Sequence, residues 1–434
     1  MSQDDLITHL PIQLRADPSR VVIRPFVPAD DNLSLPLRPR PRAQRIVDRV
    51  LALDGVALKA ELDHVSANLA NHHRHVENVL RRRFHEINGL LIEHCSTKDE
   101  QELLIGAYFS EEYAFEAAAL FNPSIVAHPD QSGVLPGDLR FIMSLRAVGE
   151  GHVSSVTFRT GVVGSDGTVA VDSPGAYAVA PRIENIPGGA PDDPGVRLFC
   201  NESLNPSETV IFPMTPNQRH GIEDVRLVRF TDDDGNVTYY GTYTAFSGET
   251  IRQELFRTID FATFELNALR GETANGKGMA LFPRRIDGRY AMLGRQDHEN
   301  IWFLTSSDLY DWQDAGQIVV SPRWPWEFIQ IGNGGSPIEI EEGWLVITHG
   351  VGAVRNYCLG VCLLDRNDPT KLLGRMTHPL FRPKADQRFG YVPNVAYTCG
   401  ALVHGRTLFL PYAVADSYTT FATVTIDRLL SAMV

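Results

Sequence analysis

Between Ala43 and Leu91 the apolar residues Ile46, Val50, Leu53, Leu58, Leu62, Val65, Leu69, Val76, Leu80, Phe84 and Ile87 fall mostly at steps of three and four. That spacing stacks side chains on one helical face and predicts two amphipathic helices, broken near "LDGVAL". The preceding forty residues are rich in Pro and Arg, end in "LPLRPRPR" and predict an extended arm rather than a folded unit. Beyond residue 100 the helical period nearly vanishes. Short apolar runs alternate with turns such as "GSDG", "DDDGN", "RIDGR", "EEGW" and "VHGR", the punctuation of an all-β domain. Four segments there join an apolar strand to an aspartate and then to another apolar residue or short helix: "LFRTIDFATFEL", "IWFLTSSDLYDW", "GVCLLDRNDPTKLL" and "FATVTIDRLL". Their aspartates, Asp260, Asp308, Asp365 and Asp427, lie about 50–60 residues apart, which fits one four-stranded propeller blade per step. A pair of β-sandwiches matches the strand density but not this recurring strand end. The pattern therefore predicts an all-β fold, a five-bladed β-propeller over residues 96–434, with a helical segment at 41–95 and an extended arm at 1–40.

Composition narrows the function classes. The 434 residues are 43% hydrophobic and 21% charged, as in ordinary globular proteins. A formal net charge of −13 argues against a nucleic-acid partner, because phosphate backbones need concentrated Lys and Arg; "RRRF" at Arg81–Phe84 reads as the polar face of a helix. No run of 18 apolar residues predicts a membrane span, and the N-terminus lacks a basic start followed by an apolar run, so the expected location is the cytoplasm. The five cysteines, Cys95, Cys200, Cys358, Cys362 and Cys399, are an odd number that suits reduced thiols packed in a core. Cys358 and Cys362 lack the further ligands of a zinc motif. His64, His72, His73, His75 and His85 sit on the predicted helices with no carboxylate or cysteine completing a set, so they read as surface histidines and no metal is expected.

The stretch "HGIEDVRLVRF" raises a chemical question. Glu223 and Asp224 stand side by side, with Arg226 two residues on, at the start of a strand. The turn "TDDDGN" and a second strand, "VTYYGTYTAF", follow and predict a hairpin. Carboxylate and guanidinium at a strand end suit recognition of a sugar or a phosphate, although an acidic pair is also ordinary where a strand begins in solvent. In a propeller the innermost strands line the central channel, so polar, glycine-rich strand starts are the places to look. They offer Asn122; Arg146 with His152 and Arg159; Arg295 with Asp297; Gln330 with Asn333; His349 with Arg355; Tyr391 with Asn394; and Asp416. An isolated Arg or His is usually structural. One polar cluster at the start of each inferred blade is harder to explain that way.

The ordered string "GIEDVR", "ALFPRRIDGRYAMLGR", "IWFLTSSDLYDW", "IGNGGSPIEIEEGWLVITHGVG", "CLLDRNDPTKLLGR", "GYVPNVAYTCGALV" and "AVADSYTTFATVTIDRLL" resembles glycoside hydrolase family 130 over about residues 100–434. The resemblance implies a five-bladed propeller acting as a phosphorylase of β-linked mannosides, or as one of the family's hydrolases. The N-terminal helices are similar to the longer-chain branch of β-1,2-oligomannoside phosphorylases. By the family's Glu-Asp-Pro-Arg motif, Asp224 is implied to be the general acid, relaying its proton through the mannose 3-hydroxyl. Inorganic phosphate, a co-substrate and not a cofactor, attacks from the opposite face and gives α-mannose 1-phosphate. Glu223, Arg226, Asn122, Arg146, Asn333, Tyr391, Asn394 and Asp416 are implied to hold the mannoside. Arg295 and His349, with Arg323 and Arg355 as substitutes, are implied to hold phosphate. The chain departs from the family pattern at Val225, where proline is usual, at Gln330, where the short-chain phosphorylases carry lysine, and at "QDAG", where they carry a basic residue. Family hydrolases replace such basic residues with acids that activate water, for which Asp297, Glu299 and Glu327 are the candidates. Three readings follow: a phosphorylase of β-1,2-linked mannosides, an inverting β-mannoside hydrolase, and a sugar-binding propeller without catalysis. The apolar stripe of the helices is too wide to leave in water and predicts packing against the propeller or against a second copy in a homo-oligomer.

Overall fold

A computed structural model describes residues 6–29, 40–94, 96–186, 195–384 and 387–434. Its chain divides into two units, one comprising Pro18–Phe115 with Ala176–Ala180 and the other the remaining residues. Four helices dominate the smaller unit: α1 (Arg42–Leu51), α2 (Gly55–Ala70), α3 (Val76–Asn88) and α4 (Asp99–Tyr108). The expected break near "LDGVAL" separates α1 from α2, where the Asp54 side chain caps α2 by accepting from the backbone amides of Val56 and Ala57. A further break at residues 71–75 splits the second expected helix into α2 and α3. Leu69 and Val76 are seven residues apart and stay in phase across it, which is why periodicity alone misses the turn. The helical segment also runs on past residue 95, because α4 carries the unbroken run Leu103, Leu104 and Ile105 into the core. Val47, Val50, Leu58, Phe84, Ile87, Leu91, Leu104, Ile105 and Phe109 form that core. α4 can press onto α3 because residue 106 is glycine: a Cβ there would lie 2.0 Å from the Leu80 carbonyl oxygen. Two expectations change here. Arg83 of "RRRF" turns inward, its Nε donating to the Phe109 carbonyl at 2.7 Å. His73 is buried, with Nε2 2.7 Å from Glu112.

The larger unit is built almost entirely of strands, in four sheets among the described residues. The first runs through Ala119–Ala127, Leu139–Val148 and Ser154–Val163, and then through Gly221–Thr231, Val237–Phe246, Ile251–Thr258 and Thr263–Ala268 to Val196–Phe199 and Arg182–Asn185. Its two halves meet through a single parallel pair, Gly221 with Ser154; its other pairings are antiparallel. A second sheet holds Ala280–Leu281, Tyr290–Gly294, Ile301–Ser306 and Gln317–Val320, and a third Gln330–Asn333, Gly343–Gly352, Asn356–Leu364 and Leu372–Arg375. The fourth joins the two ends of the chain. Thr8–Leu14 pairs antiparallel with Tyr418–Thr425, next to Thr407–Val414 and Ala396–Tyr397. Residues expected to form a loose arm thus supply an outer strand here, and Val21–Pro25 pairs with Ser110–Ala114 in the smaller unit. Residues 30–39 of the arm lie outside the described residues.

Strand ends repeat for a physical reason. The carboxylates of Asp260, Asp308 and Asp365 accept from backbone amides two or three residues on (Ala262 and Thr263; Tyr310; Asn367 and Asp368), closing Asx turns. Asp427 sits instead in the first turn of a short helix and pairs with Arg406. Cys200, Cys358, Cys362 and Cys399 are buried free thiols; Cys95 lies outside the described residues. Among the described residues no helix is long and apolar enough to cross a membrane.

Candidate active site

Two β-bulges set the geometry. The ladder between Gly221–Thr231 and Val237–Phe246 pairs Glu223 with Thr244 and then Arg226 with Thr242, so Asp224 and Val225 together face one residue. Asp224 takes φ 55°. The same irregularity separates Phe121–Arg146 from Ser124–Ser144, and Asn122 takes φ 49°. A bulge re-aims the side chain it carries. Both side chains point into one cavity of about 550 Å³, which Arg146, Glu223 and Arg226 also line. Two tight turns complete it. Ala415 and Asp416, with φ 50° and 46°, link the last two strands, and Ala353–Arg355 links Gly343–Gly352 to Asn356–Leu364.

Within the cavity Asn122 Nδ2 donates to Asp224 Oδ1 at 2.7 Å, and Arg146 Nη1 reaches the same oxygen at 3.4 Å. Asp224 Oδ2 has no hydrogen-bond donor among the described residues. Arg146 Nη2 donates to Glu223 Oε1 at 2.9 Å, and Lys277 Nζ to Glu223 Oε2 at 2.7 Å. Burial works to raise the Asp224 pKa, but the Arg146 charge, the Asn122 hydrogen bond and the charges of Lys277 and Arg226 outweigh it and hold the carboxyl below its ordinary range. Asp416 goes the other way. Burial, and then the negative charge of Asp224, push it up to about 7. Below about pH 7 the cavity thus holds one ionised and one protonated aspartate.

Beside these acids lies a group of cations. Arg226 donates from Nη2 to the Tyr397 hydroxyl at 2.9 Å and from Nε to the Gly334 carbonyl at 3.1 Å. Arg295 Nη1 donates to His349 Nε2 at 3.2 Å. Burial, followed by the charges of Arg295 and Arg226, drives His349 well below its ordinary pKa, so it is a neutral imidazole here. A Cβ at residue 332 would come within 2.5 Å of the His349 ring, so only glycine lets that strand pass behind it. Arg226, Arg295 and Arg355 line the cavity and form no ion pair with a carboxylate among the described residues.

Ten of the thirteen residues expected in the site line this cavity: Asp224, Asn122, Arg146, Glu223, Arg226, Asn394, Asp416, Arg295, His349 and Arg355. Three do not. Asn333 is buried behind the wall, its Nδ2 donating to the Gly278 carbonyl at 3.0 Å. Tyr391 is half exposed and its hydroxyl meets His152 Nδ1 at 2.9 Å. Arg323 is exposed and lies over the Trp324 ring. Nor do the carboxylates considered for water activation line the cavity. Asp297 closes a turn by accepting from the amides of Glu299 and Asn300, Glu299 is exposed, and Glu327 is buried against Arg375 at 2.7 Å. Lys277, Tyr357 and Tyr397 were not anticipated. Tyr397 lay inside the motif "NVAYTCG", and Lys277 in the glycine-bounded "NGKGMA" that precedes another. Among the described residues no group of three or more His, Cys, Asp or Glu is arranged to hold a metal.

The model of glycoside hydrolase family 130, described as "beta-1,4-mannooligosaccharide phosphorylase", matches residues 200–434. A β-1,2-mannobiose phosphorylase of Listeria innocua is 32% identical over 226 residues, covering 51% of this chain and 62% of that one. A 1,2-β-oligomannan phosphorylase of Thermoanaerobacter is 34% identical over 208 residues, covering 47% and 68%. The solved structure of a Listeria innocua β-1,2-mannobiose phosphorylase in complex with β-1,2-mannobiose superposes with a TM-score of 0.53 at 22% identity, over 73% of this chain and 92% of that one. The sequence match therefore spans less than two thirds of the first relative's length.

Proposed function

This chain belongs to glycoside hydrolase family 130, and on that premise we propose that it is an inverting phosphorylase of β-1,2-linked mannosides, using inorganic phosphate as co-substrate and releasing α-mannose 1-phosphate. The relatives named for β-1,2-mannosides support the linkage. We also read the sheets as blades. Dividing the first sheet at its single parallel pair leaves five groups of antiparallel strands, as a five-bladed propeller requires, with the N-terminal strand closing the last blade.

The observation that carries the phosphorylase reading is the cluster of Arg226, Arg295 and Arg355, unpaired with carboxylates among the described residues, in the cavity that holds Asp224. A dianion needs several fixed donors, and these supply them. Asp224 serves as the acid and Glu223, fixed by Arg146 and Lys277, orients the sugar beside it. Phosphate itself prepares the acid. Its charge offsets the cations that hold the Asp224 pKa down, so its arrival raises the proton affinity of that carboxyl, with Asp416 beside it still protonated. Asn122, Arg146, Asn394 and Asp416 contact the mannosyl unit. The hydrolase reading needs a carboxylate able to activate water, and Asp297, Glu299 and Glu327 do not line the cavity. Product analysis from β-1,2-mannobiose decides between the two. Mannose 1-phosphate formed only when phosphate is present supports phosphorolysis, whereas free mannose at equal rates with and without phosphate overturns it.

A further inference from the structure

A second cavity, of about 430 Å³, adjoins the first: Val354 and Asn394 line both. Its size falls in the range of small-ligand sites, roughly 300–1,000 Å³. The ridge between them is the turn Ala353–Arg355, in which Val354 and Arg355 have φ 57° and 50°. A β-branched residue in the left-handed region is a genuine outlier, and such strain persists where the surroundings enforce it for function. Ala353 lines only the second cavity and Arg355 only the first. Pro325, Trp326 and Pro383 give the second cavity an apolar wall. Its charged residues are Arg382 and Arg388, both exposed; no Asp or Glu lines it, and neither arginine forms an ion pair among the described residues. Two guanidiniums without an ion pair among the described residues thus share one recess in a chain of net charge −13. Neutral sugar hydroxyls do not call for them, whereas a planar fork of donors matches a carboxylate or a phosphate group.

We propose that this second cavity is an acceptor subsite for a sugar bearing a carboxylate or a phosphate group, which Arg382 and Arg388 bind while the sugar's reacting end lies in the first cavity. The proposal rests on the phosphorylase reading. In the synthetic direction an acceptor hydroxyl oxygen bonds to the mannosyl C1 of α-mannose 1-phosphate and the C1–O bond to phosphate breaks. Phosphate leaves with the bonding pair, and the hydroxyl proton passes to Asp224.

The test measures transfer from α-mannose 1-phosphate to mannose, mannuronic acid and mannose 6-phosphate, by wild type and by the Arg382→Gln/Arg388→Gln double variant. Binding of mannuronic acid is followed by calorimetry in parallel. The subsite predicts a kcat/KM for at least one anionic acceptor roughly tenfold above that for mannose, falling to the mannose level in the double variant. The two anionic acceptors show whether carboxylate or phosphate is the group bound. Equal use of all three acceptors overturns the proposal, and so does a double variant that raises only the KM for inorganic phosphate. Arginine-dependent binding of mannuronic acid with no transfer to any acceptor supports the subsite and removes the phosphorylase reading. Transfer to mannose with no arginine-dependent preference does the reverse.

Discussion

Replacing Asp416 by Asn deletes a proton site whose affinity the cavity sets. Burial and the Asp224 charge raise the Asp416 pKa from its ordinary 3.8 to about 7. Because the folded value lies above the unfolded one, the folded protein binds more protons between about pH 4 and pH 7. The contribution of this carboxyl to stability is therefore fully present below about pH 4 and is lost as pH rises through about 7. At 1.36 kcal/mol per tenfold change, the gap corresponds to about 4 kcal/mol as an upper limit. Asp416 is partly exposed, which screens the effect, so a measured value of roughly 1–4 kcal/mol is expected. Asn fills the same volume and never ionises. From pH 4 to pH 8 wild type should lose stability relative to Asp416→Asn by that amount, read as the difference between two denaturant-unfolding series. Because Asp224 supplies part of the shift, Asp224→Asn should move the loss to lower pH. Parallel pH dependence of wild type and Asp416→Asn would refute the assignment of this carboxyl as neutral in the folded protein.

Asp224→Asn should lower turnover on β-1,2-mannobiose by about 10²- to 10⁴-fold and lose far less on a mannoside with a nitrophenol leaving group, which needs little protonation; equal losses on both, with a reduced melting temperature, would make the residue structural. Arg295→Ala should raise the KM for phosphate by about tenfold or more with a smaller effect on the mannoside KM, because it removes a cation without a carboxylate partner; an unchanged phosphate KM would exclude it from the phosphate site. Glu327→Gln leaves the buried Arg375 without its counter-charge and should destabilise the fold by about 3–5 kcal/mol while sparing the KM for mannoside. Loss of turnover at unchanged stability would instead return Glu327 to the chemistry.

What the sequence disclosed depended on distance along the chain. Alternating strands, the Asx turns at Asp260, Asp308 and Asp365, and the acid-rich "GIEDVR" are local patterns and can be read directly. The break between α2 and α3 was hidden because Leu69 and Val76 keep the helical phase across it. The extended reading of the first forty residues missed Thr8–Leu14 because its pairing partner, Tyr418–Thr425, lies at the other end of the chain. Asn333 was misplaced for a simpler reason: glycine-rich flanks mark a close approach but not a side. Gln330 and Asn333 are an odd number of positions apart, so in a strand they face opposite ways; Gln330 lies 3.4 Å from His349, and Asn333 points at Gly278. Lys277 and Tyr397 become site residues only through Glu223 and Arg226, on a strand far from either in sequence.

The side-by-side placement of Glu223 and Asp224 has its explanation in the same alternation. A regular strand would turn Glu223 and Val225 to one face and Asp224 and Arg226 to the other, so no ligand could meet both carboxylates and the guanidinium. All three line the cavity because the bulge at Asp224–Val225 inserts an extra residue between the Thr244 and Thr242 pairings. The cost is a non-glycine residue at positive φ, of order 1–3 kcal/mol, and it recurs around the site. Among the described residues twelve non-glycine residues have positive φ, and six of them (Asn122, Asp224, Val354, Arg355, Asn394 and Asp416) line this one cavity. Random placement would not concentrate half of them in so small a part of the chain. Long antiparallel ladders on either side, such as Arg226–Thr231 against Val237–Thr242, hold these conformations in place. A straightened strand would be less strained, but it would show the ligand Glu223 or Asp224 and never both.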